Sequence, residues 1–175
     1  MTGKDSIFTK QRIWVRGIEG PFNIHAEHER LRNVPRVIKS KDLPWNEGPV
    51  LWHKDFMKPE SGLSQGLHVH LDAIAPGSHS AKHGHQNEAL FYILEGHGHE
   101  IHDGIRYDWE AGDVVSVHAG CVHQHFNDDL DNPCRMLVIK SKPLYMFFHY
   151  LYQGMVEMPP EELPDGQADY RPGDW

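Results

Sequence analysis

The chain contains 175 residues, of which 39% are hydrophobic and 24% are charged, and its formal net charge at pH 7 is −8. This length allows one domain with terminal extensions and a buried core that needs no disulfide bonds. The negative charge argues against nucleic acid as a partner, because phosphate binding requires a basic surface. No apolar run reaches the roughly 18 residues of a membrane-spanning helix, so no membrane partner is expected.

The cysteine content and the N-terminal sequence favour a cytoplasmic protein. The two cysteines, Cys121 and Cys134, are too few for a disulfide framework. The first six residues lead into no apolar stretch of the kind that a secretory signal contains. The unusual feature of the composition is its 15 histidines. One metal ion needs only three or four of them, so we expect most to have other roles.

Residues 1–62 are predicted to form an N-terminal arm that packs on the rest of the chain. Prolines and glycines interrupt residues 33–62 repeatedly, which indicates irregular chain with short strands. We predict such strands at Val34–Lys39 and Val50–Phe56. The segment His25–Arg32 fits either a short helix or an exposed arm, because its apolar face is thin.

From Gly66 onward the pattern changes to the alternation of a half-buried β-strand. Apolar residues alternate with a second row, which consists of His68, His70, Asp72 and Ile74. Further strands are predicted at residues 89–94, 97–102, 105–109, 114–117, 122–126 and 135–140. Asp103-Gly104 is a typical two-residue hairpin turn. Short strands separated by turns predict an all-β antiparallel sandwich or barrel.

The segment Leu144–Val156 is strongly aromatic and fits a strand, a helix, or both in sequence. Such a segment must be covered, either by its own barrel or by a partner subunit, which favours a homodimer or higher homo-oligomer. The domain organisation predicted from these patterns is an arm at residues 1–62, a barrel at residues 63–143 and a C-terminal extension at residues 144–175.

Three histidines are candidate metal ligands. His83 and His85 point to the same side of a strand because they are two residues apart. His123 lies on another predicted strand, and antiparallel pairing can bring distant residues within a few ångströms. Three imidazoles with open positions suit Fe(II), Mn, Ni, Zn or Cu, and the ligand types alone do not choose among these metals.

Two patterns of glycine and histidine resemble the two sequence motifs of the cupin superfamily. The first consists of Gly77, His83, His85 and Gly96. The second consists of Gly112, His118, Gly120, His123 and Asn127. The resemblance covers about residues 66–140. It implies a single cupin (jelly-roll) β-barrel that carries the N-terminal arm and the C-terminal aromatic extension.

The sequence departs from the cupin pattern at one ligand position. Most cupins have a glutamate ligand where this chain has Ala89, and the nearest acid is Glu88. A shift of one residue on a strand turns the side chain to the other face, so we expect Glu88 to point away from the metal. The resemblance then implies a site of three histidines: His83, His85 and His123.

The surroundings of these histidines resemble the gentisate 1,2-dioxygenase branch. The similar segments are His83–Leu90 and Val122–Asn127. Members of this branch hold Fe(II) on three histidines and cleave aromatic rings with O2. The resemblance implies that Asn87 lies at the substrate pocket. It also implies that His125 is a catalytic residue near the substrate hydroxyl or bound oxygen, where it would act as an acid or base.

A second departure concerns the substrate. In that branch an arginine follows Ala-Leu and binds the substrate carboxylate, whereas this chain has Phe91 there. Because a buried carboxylate without a cation is costly, either Arg106 or Arg135 supplies the charge or the substrate lacks a carboxylate, as hydroquinone does. We therefore name Phe91, Arg106 and Arg135, together with Asn87, as candidate substrate-binding residues.

The sequence therefore predicts a metal-dependent dioxygenase, with Fe(II) as the expected metal and a small aromatic molecule and O2 as substrates. Two alternatives stay open. One is a non-redox cupin lyase, decarboxylase or isomerase that uses its metal as a Lewis acid. The other is a ligand-binding cupin or the small subunit of a larger oxygenase. His68 and His70 are surplus to a three-histidine site, and His97, His99 and His102 fit an outward-facing row.

Overall fold

Two antiparallel sheets face each other in the computed structural model, which describes residues 24–165 and 170–173. The strands are β1 (Asn46–Glu47), β2 (Leu51–Met57), β3 (His68–Ile74), β4 (Lys82–His85), β5 (Ala89–Glu95), β6 (His97–His102), β7 (Ile105–Glu110), β8 (Val114–Val117), β9 (Val122–Asn127), β10 (Cys134–Lys140) and β11 (Gln153–Glu157). The helices are α1 (Ile24–Arg32) and α2 (Lys142–Phe147), with short 3-10 turns at Ser40–Asp42 and Pro59–Ser61. The predicted all-β class is confirmed.

The order of strands in each sheet brings distant parts of the chain together. The six-stranded sheet has the order β1-β2-β3-β10-β5-β8, and the five-stranded sheet has the order β11-β4-β9-β6-β7. The predicted N-terminal arm thus contributes β1 and β2 to one sheet, and the predicted C-terminal extension contributes β11 to the other. The division of the chain into an arm, a barrel and an extension stays a prediction.

Most of the predicted elements are confirmed, with ends that differ by a residue or two. His25–Arg32 lies in helix α1, and Leu144–Val156 contains part of a helix and then most of a strand. The strand predicted at Val34–Lys39 is wrong, because no strand of the described chain pairs with this segment. Pro35 removes one of the N–H groups that a ladder would need. The expectation about a signal segment falls on the first residues, which lie outside the described residues.

The apolar core fills one end of the space between the sheets. The inward-facing row of β10 consists of Cys134, Met136, Val138 and Lys140, and only the last of these is charged. Phe91 and Ile93 on β5 lie opposite Val138 and Met136 in the register and are fully buried. The interior therefore changes from apolar to polar along the strands, and a cavity lies at the polar end.

Strand β3 differs from the half-buried strand that its alternation predicts. Leu71 and Ala73 on one face are 1% and 0% exposed, and His70 and Asp72 on the other face are also buried. The row of His68, His70 and Asp72 faces inward, since it lies opposite the inward row of β10 in the register. This strand therefore adds ionisable side chains to the interior. No helix in the described part of the chain is long and apolar enough to cross a membrane.

Candidate metal centre

Pairing of β4 with β9 brings the candidate metal ligands together. His83 lies directly opposite His123 in the antiparallel register, and directly opposed residues share a face of the sheet. His85 and His125 each follow two residues later on the same faces. The ring centroid of His123 lies 4.3 Å from that of His83, 4.8 Å from that of His85 and 5.2 Å from that of His125. We call these four residues the histidine cluster.

Each ring of the histidine cluster is anchored through Nδ1. The anchoring distances are 3.1 Å for His83 to Ala81 O, 2.7 Å for His85 to Asn87 O, 3.1 Å for His123 to Cys121 O, and 2.5 Å for His125 to Glu100 Oε2. A carbonyl oxygen only accepts hydrogen bonds, so the first three histidines must donate from Nδ1. In a neutral ring this leaves the lone pair on Nε2, which is the atom that a metal ion would use.

The free nitrogens of this cluster fit a metal ion. Nε2 of His85 and Nε2 of His123 are buried and have no hydrogen-bond partner. Leaving a buried acceptor unsatisfied costs about 1–3 kcal/mol. The ring of His85 lies 5.6 Å from that of His83 and 4.8 Å from that of His123, and one nitrogen from each of His83, His123 and His125 lies within 4.8 Å of the others, so all four rings surround one position. Backbone carbonyls that accept a hydrogen bond from the other ring nitrogen, as Ala81 O, Asn87 O and Cys121 O do here, usually orient metal-binding imidazoles.

His83, His85 and His123 also have the protonation state that metal binding requires. Burial lowers the pKa of His83 and that of His85 to about 4, with a further contribution from the charge of His125 at His83 and from Lys140 at His85. Burial and the neighbouring charge of His125 lower the pKa of His123 as well. These rings are therefore neutral near pH 7, and neutral imidazole is the form that binds metals.

His125 differs from the other three rings because its anchor is a carboxylate. Glu100 is fully buried, and its Oε2 lies 2.5 Å from Nδ1 of His125 and 3.6 Å from Nε2 of His102. Burial raises the pKa of Glu100, but the charge of His125 and hydrogen bonds from His102 and His125 outweigh this effect and lower it. The ring of His125 also packs on Phe91, with centroids 4.7 Å apart. His125 is thus held in place and backed by an ionised acid.

The strand that carries the usual cupin glutamate has the geometry expected from the sequence. Glu88 is exposed, whereas Ala89 is 2% exposed and faces the interior. The prediction that Glu88 points away from the cluster is confirmed. No carboxylate therefore enters the histidine cluster from the start of β5.

A cavity of about 530 Å³ lies between the sheets, with His83 and His125 on one wall. The opposite wall carries His70 and Asp72, and Lys140 also lines this space. Sequence analysis missed Lys140, Asp72 and Glu100 as candidate site residues. Alternation along β10 could have suggested Lys140, because it continues the inward-facing row, but the pairing of β10 with β3 and β5 is needed to see which groups it meets.

The predicted substrate-binding residues are only partly brought to the cavity. Asn87 is 1% exposed, lines an adjoining cavity of about 310 Å³ with His85 and Lys140, and has an unpartnered Oδ1. Phe91 is fully buried behind His125 and is not among the residues that line either cavity.

The structure does not bring either predicted arginine to the cavity wall. Arg106 is exposed on β7 and forms ion pairs with Asp108 and Asp128 at 2.7 and 2.9 Å. Arg135 lies on the outward-facing row of β10 and pairs with Glu95. Strand parity directs both side chains away from the histidines, and their role as carboxylate partners stays a prediction.

The histidines of β6 correct another expectation. His97 is exposed, as predicted, but His99 and His102 are both 8% exposed. His99 stacks on Phe126 with centroids 4.4 Å apart, and its Nδ1 lies 2.9 Å from the carboxylate of Asp128. These contacts give His99 structural partners, and since both His99 and His102 are buried, the histidines of β6 do not form an outward row.

The low pKa values in the cluster predict that metal-free protein loses stability as the pH falls from about 6.5 to about 4. In this window the unfolded chain takes up protons on His83 and His85 while the folded chain does not, so stability present above pH 6.5 is lost at lower pH. Each histidine adds a slope of at most about 1.4 kcal/mol per pH unit. Denaturant unfolding of chelator-treated protein measures this slope, and it should be shallower in His83→Gln. Equal slopes in the two proteins would contradict the assignment.

Comparisons with known proteins agree with this geometry. The family model described as a cupin domain matches residues 70–140. A crystal structure of salicylate 1,2-dioxygenase from Pseudaminobacter salicylatoxidans has a TM-score of 0.57 and 15% identity over 64% of this chain and 32% of its own. The same enzyme with gentisate has a TM-score of 0.58 and 15% identity over 65% of this chain and 31% of its own. At this identity the likeness concerns the fold.

This chain spans about a third of the length of the dioxygenase structures that it resembles. No curated protein sequence matches it. The family match nevertheless covers the two strands that carry the histidine cluster, β4 and β9, and the strand that carries Lys140. Residues 70–140 therefore match the cupin domain family, and the two-sheet fold agrees with that match.

Proposed function

We propose that this protein is an Fe(II)-dependent dioxygenase that cleaves a phenolic ring of the hydroquinone or gentisate type with O2. The observation that carries the proposal is a cluster of neutral imidazoles beside a cavity of about 530 Å³. Ligand-binding cavities typically measure about 300–1,000 Å³, so a single aromatic ring fits this space. The likeness of the fold to salicylate 1,2-dioxygenase supports the choice of reaction.

The proposed metal ligands are His83, His85 and His123. In support, the unpartnered buried Nε2 atoms of His85 and His123 need a partner that no described side chain supplies. Imidazole donors also suit Mn, Ni, Zn and Cu, so the reaction, rather than the ligand set, is the reason to propose Fe(II). Held by these histidines, Fe(II) would supply the redox chemistry by which the ring reacts with O2.

His125 is the proposed acid or base of the reaction. Its Nδ1 is occupied by Glu100 at 2.5 Å, so Nε2 is the atom that can exchange a proton with the substrate hydroxyl. The ionised carboxylate of Glu100 stabilises the imidazolium that forms when His125 accepts this proton. Phe91 supports the ring from behind and keeps water from that face. Glu100 and Phe91 are therefore positioning residues.

Lys140 is the proposed partner of a substrate carboxylate. It lines both cavities, and Lys142 lies beside it at the start of α2. Burial lowers the pKa of Lys140, and the charge of Asp72 opposes this change. A carboxylate on the substrate would offset the cost of burying this ammonium group. This cation takes the role that the sequence assigned to Arg106 or Arg135.

An assembly of identical chains is also part of the proposal. Strand β11 is an edge strand with every residue exposed, and Met155 and Val156 on it are 63% and 57% exposed. Tyr150 and Tyr152, just before this strand, are also exposed. An exposed edge with large apolar side chains favours pairing with another chain. A homodimer would cover it.

The roles of His85 and His125 can be separated by matched substitutions. We expect His85→Gln to lose bound iron together with activity, because a ligand is removed. We expect His125→Gln to keep its iron and lose about 100-fold or more in kcat, because general acid–base catalysis contributes about 10²–10⁴-fold. Iron content per chain and steady-state turnover measure the two effects. Loss of iron from His125→Gln with retention in His85→Gln would reverse the assignment.

Substitution of Lys140 tests the proposed carboxylate contact. Lys140→Met should raise KM for gentisate about tenfold or more and leave KM for hydroquinone nearly unchanged, since a hydrogen bond to a charged group contributes about 1.5–3 kcal/mol. Arg106→Met is the matched control, because this cation is exposed and lies outside the cavity. An equal effect of the two variants on KM for gentisate would rule out the contact.

The reaction itself is tested by O2 consumption after anaerobic loading of the purified protein with Fe(II). Gentisate, hydroquinone and salicylate analogues form the substrate panel, and His123→Gln is the negative control. We expect uptake of one O2 for each ring cleaved with at least one member of the panel. Substrate loss without O2 uptake would instead indicate a non-redox lyase, decarboxylase or isomerase. Absence of O2 uptake with every aromatic diol would reject ring cleavage.

A further inference from the structure

A second cluster of metal-binding side chains faces the same cavity from the other sheet. It consists of Asp55 on β2 and of His68 and His70 on β3, and we call it the opposite cluster. Asp55 lies directly opposite His70 in the register of β2 with β3, and His68 is two residues before His70 on the same face. One donor atom from each of the three residues lies within 4.8 Å of the others. All three side chains line the cavity that also contains His83 and His125.

Two nitrogens in the opposite cluster lack a partner. Nδ1 of His68 and Nδ1 of His70 are buried and form no hydrogen bond with any described residue. His70 is 7% exposed, so water cannot readily solvate its ring. Nε2 of His70 faces Asp72 Oδ1 at 3.4 Å, and a histidine held by a carboxylate through one nitrogen commonly binds a metal through the other.

Ion pairs give the carboxylate of this cluster its partners, but they leave one nitrogen of each imidazole without a partner. Asp55 contacts His53 at 3.3 Å, Lys58 at 3.2 Å and His68 at 3.2 Å. Burial raises the pKa of Asp55, but hydrogen bonds from these three groups outweigh it and keep the carboxylate ionised. A salt-bridge network alone would therefore satisfy Asp55 and leave both buried Nδ1 atoms unpartnered, which is unfavourable.

The contacts of the neighbouring histidines distinguish ligands from ion-pair partners. Both ring nitrogens of His53 face carboxylates, Nδ1 towards Glu47 at 3.5 Å and Nε2 towards Asp55 at 3.3 Å, so this ring has no free nitrogen for an ion. His70 is buried and its Nδ1 has no partner, so this ring can bind a metal. Two histidines and one carboxylate form a donor set that binds divalent first-row metals with open positions.

We propose that Asp55, His68 and His70 bind a second divalent transition-metal ion, on the cavity wall opposite the histidine cluster. The ion would bind Oδ1 of Asp55 and Nε2 of His68, which lie 3.2 Å apart, and would give the unpartnered Nδ1 of His70 a ligand bond. It would face the same enclosed space as the ion of the histidine cluster. The proposal concerns metal binding alone, so it does not depend on the ring-cleavage reaction.

Zinc stoichiometry tests this site without reference to activity. Metal-free protein is titrated with Zn²⁺, freed of excess ion, and analysed for zinc per chain by mass spectrometry. We expect the double variant His68→Gln/His70→Gln to bind one ion fewer than the wild type, and His85→Gln/His123→Gln to lose a different single ion. His97→Ala is the control, because this exposed histidine belongs to neither cluster, and it should match the wild type. Equal zinc content in the wild type and in His68→Gln/His70→Gln would overturn the proposal.

A second measurement avoids the risk that the double variant fails to fold. Wild-type crystals soaked in Zn²⁺ are measured above and below the zinc absorption edge. The proposal requires an anomalous difference peak between Asp55, His68 and His70, separate from the peak at the histidine cluster. A peak at the histidine cluster with none at the opposite cluster would show that Asp55 is only an ion-pair partner and would overturn the proposal.

Discussion

Pairing of β4 with β9 is the constraint on which the rest of the site depends. In this register His83 opposes His123, and the same alternation carries His85 and His125 onto the interior face. A slip of one residue would turn a whole strand over and direct its histidines outward. The anchors at Nδ1 depend on the same geometry, because two of the backbone carbonyls that accept these hydrogen bonds belong to residues two positions before the rings in sequence, Ala81 and Cys121.

Apolar packing in the rest of the interior offsets the cost of burying these polar groups. Apolar side chains such as Phe91, Met136 and Val138 pack the space at one end, and the ionisable groups gather at the other. Buried polar groups stabilise a protein only when they are satisfied, and the free Nε2 atoms of His85 and His123 are not satisfied by the protein itself. A bound metal ion would be the partner that these two atoms lack, so affinity for the ion and stability of the fold are linked.

Features of the fold that depend on residues close together in the sequence were predicted from the sequence. Alternation and turn residues located most of the strands, and the two-residue spacing of His83 and His85 determined their shared face. The offset of Glu88 from Ala89 was likewise enough to exclude a glutamate from the cluster. Lys140, the cation that lines the cavity, could not be predicted in this way. Lys140 becomes relevant only because β10 pairs with β3 and β5, which places it opposite His68 and Ala89, 72 and 51 residues away in sequence. His68 and His70 were set aside for the same reason.

X-ray absorption spectroscopy at the iron edge tests the central claim, that the histidine cluster binds the metal, most directly. Metal-free protein is given one equivalent of Fe(II) under anaerobic conditions and compared with His123→Gln treated in the same way. The account predicts nitrogen or oxygen neighbours at metal-ligand distance and outer-shell scattering from three or more imidazole rings per iron in the wild type, with fewer rings in the variant. A spectrum without imidazole scattering, or identical spectra for the two proteins, would contradict it.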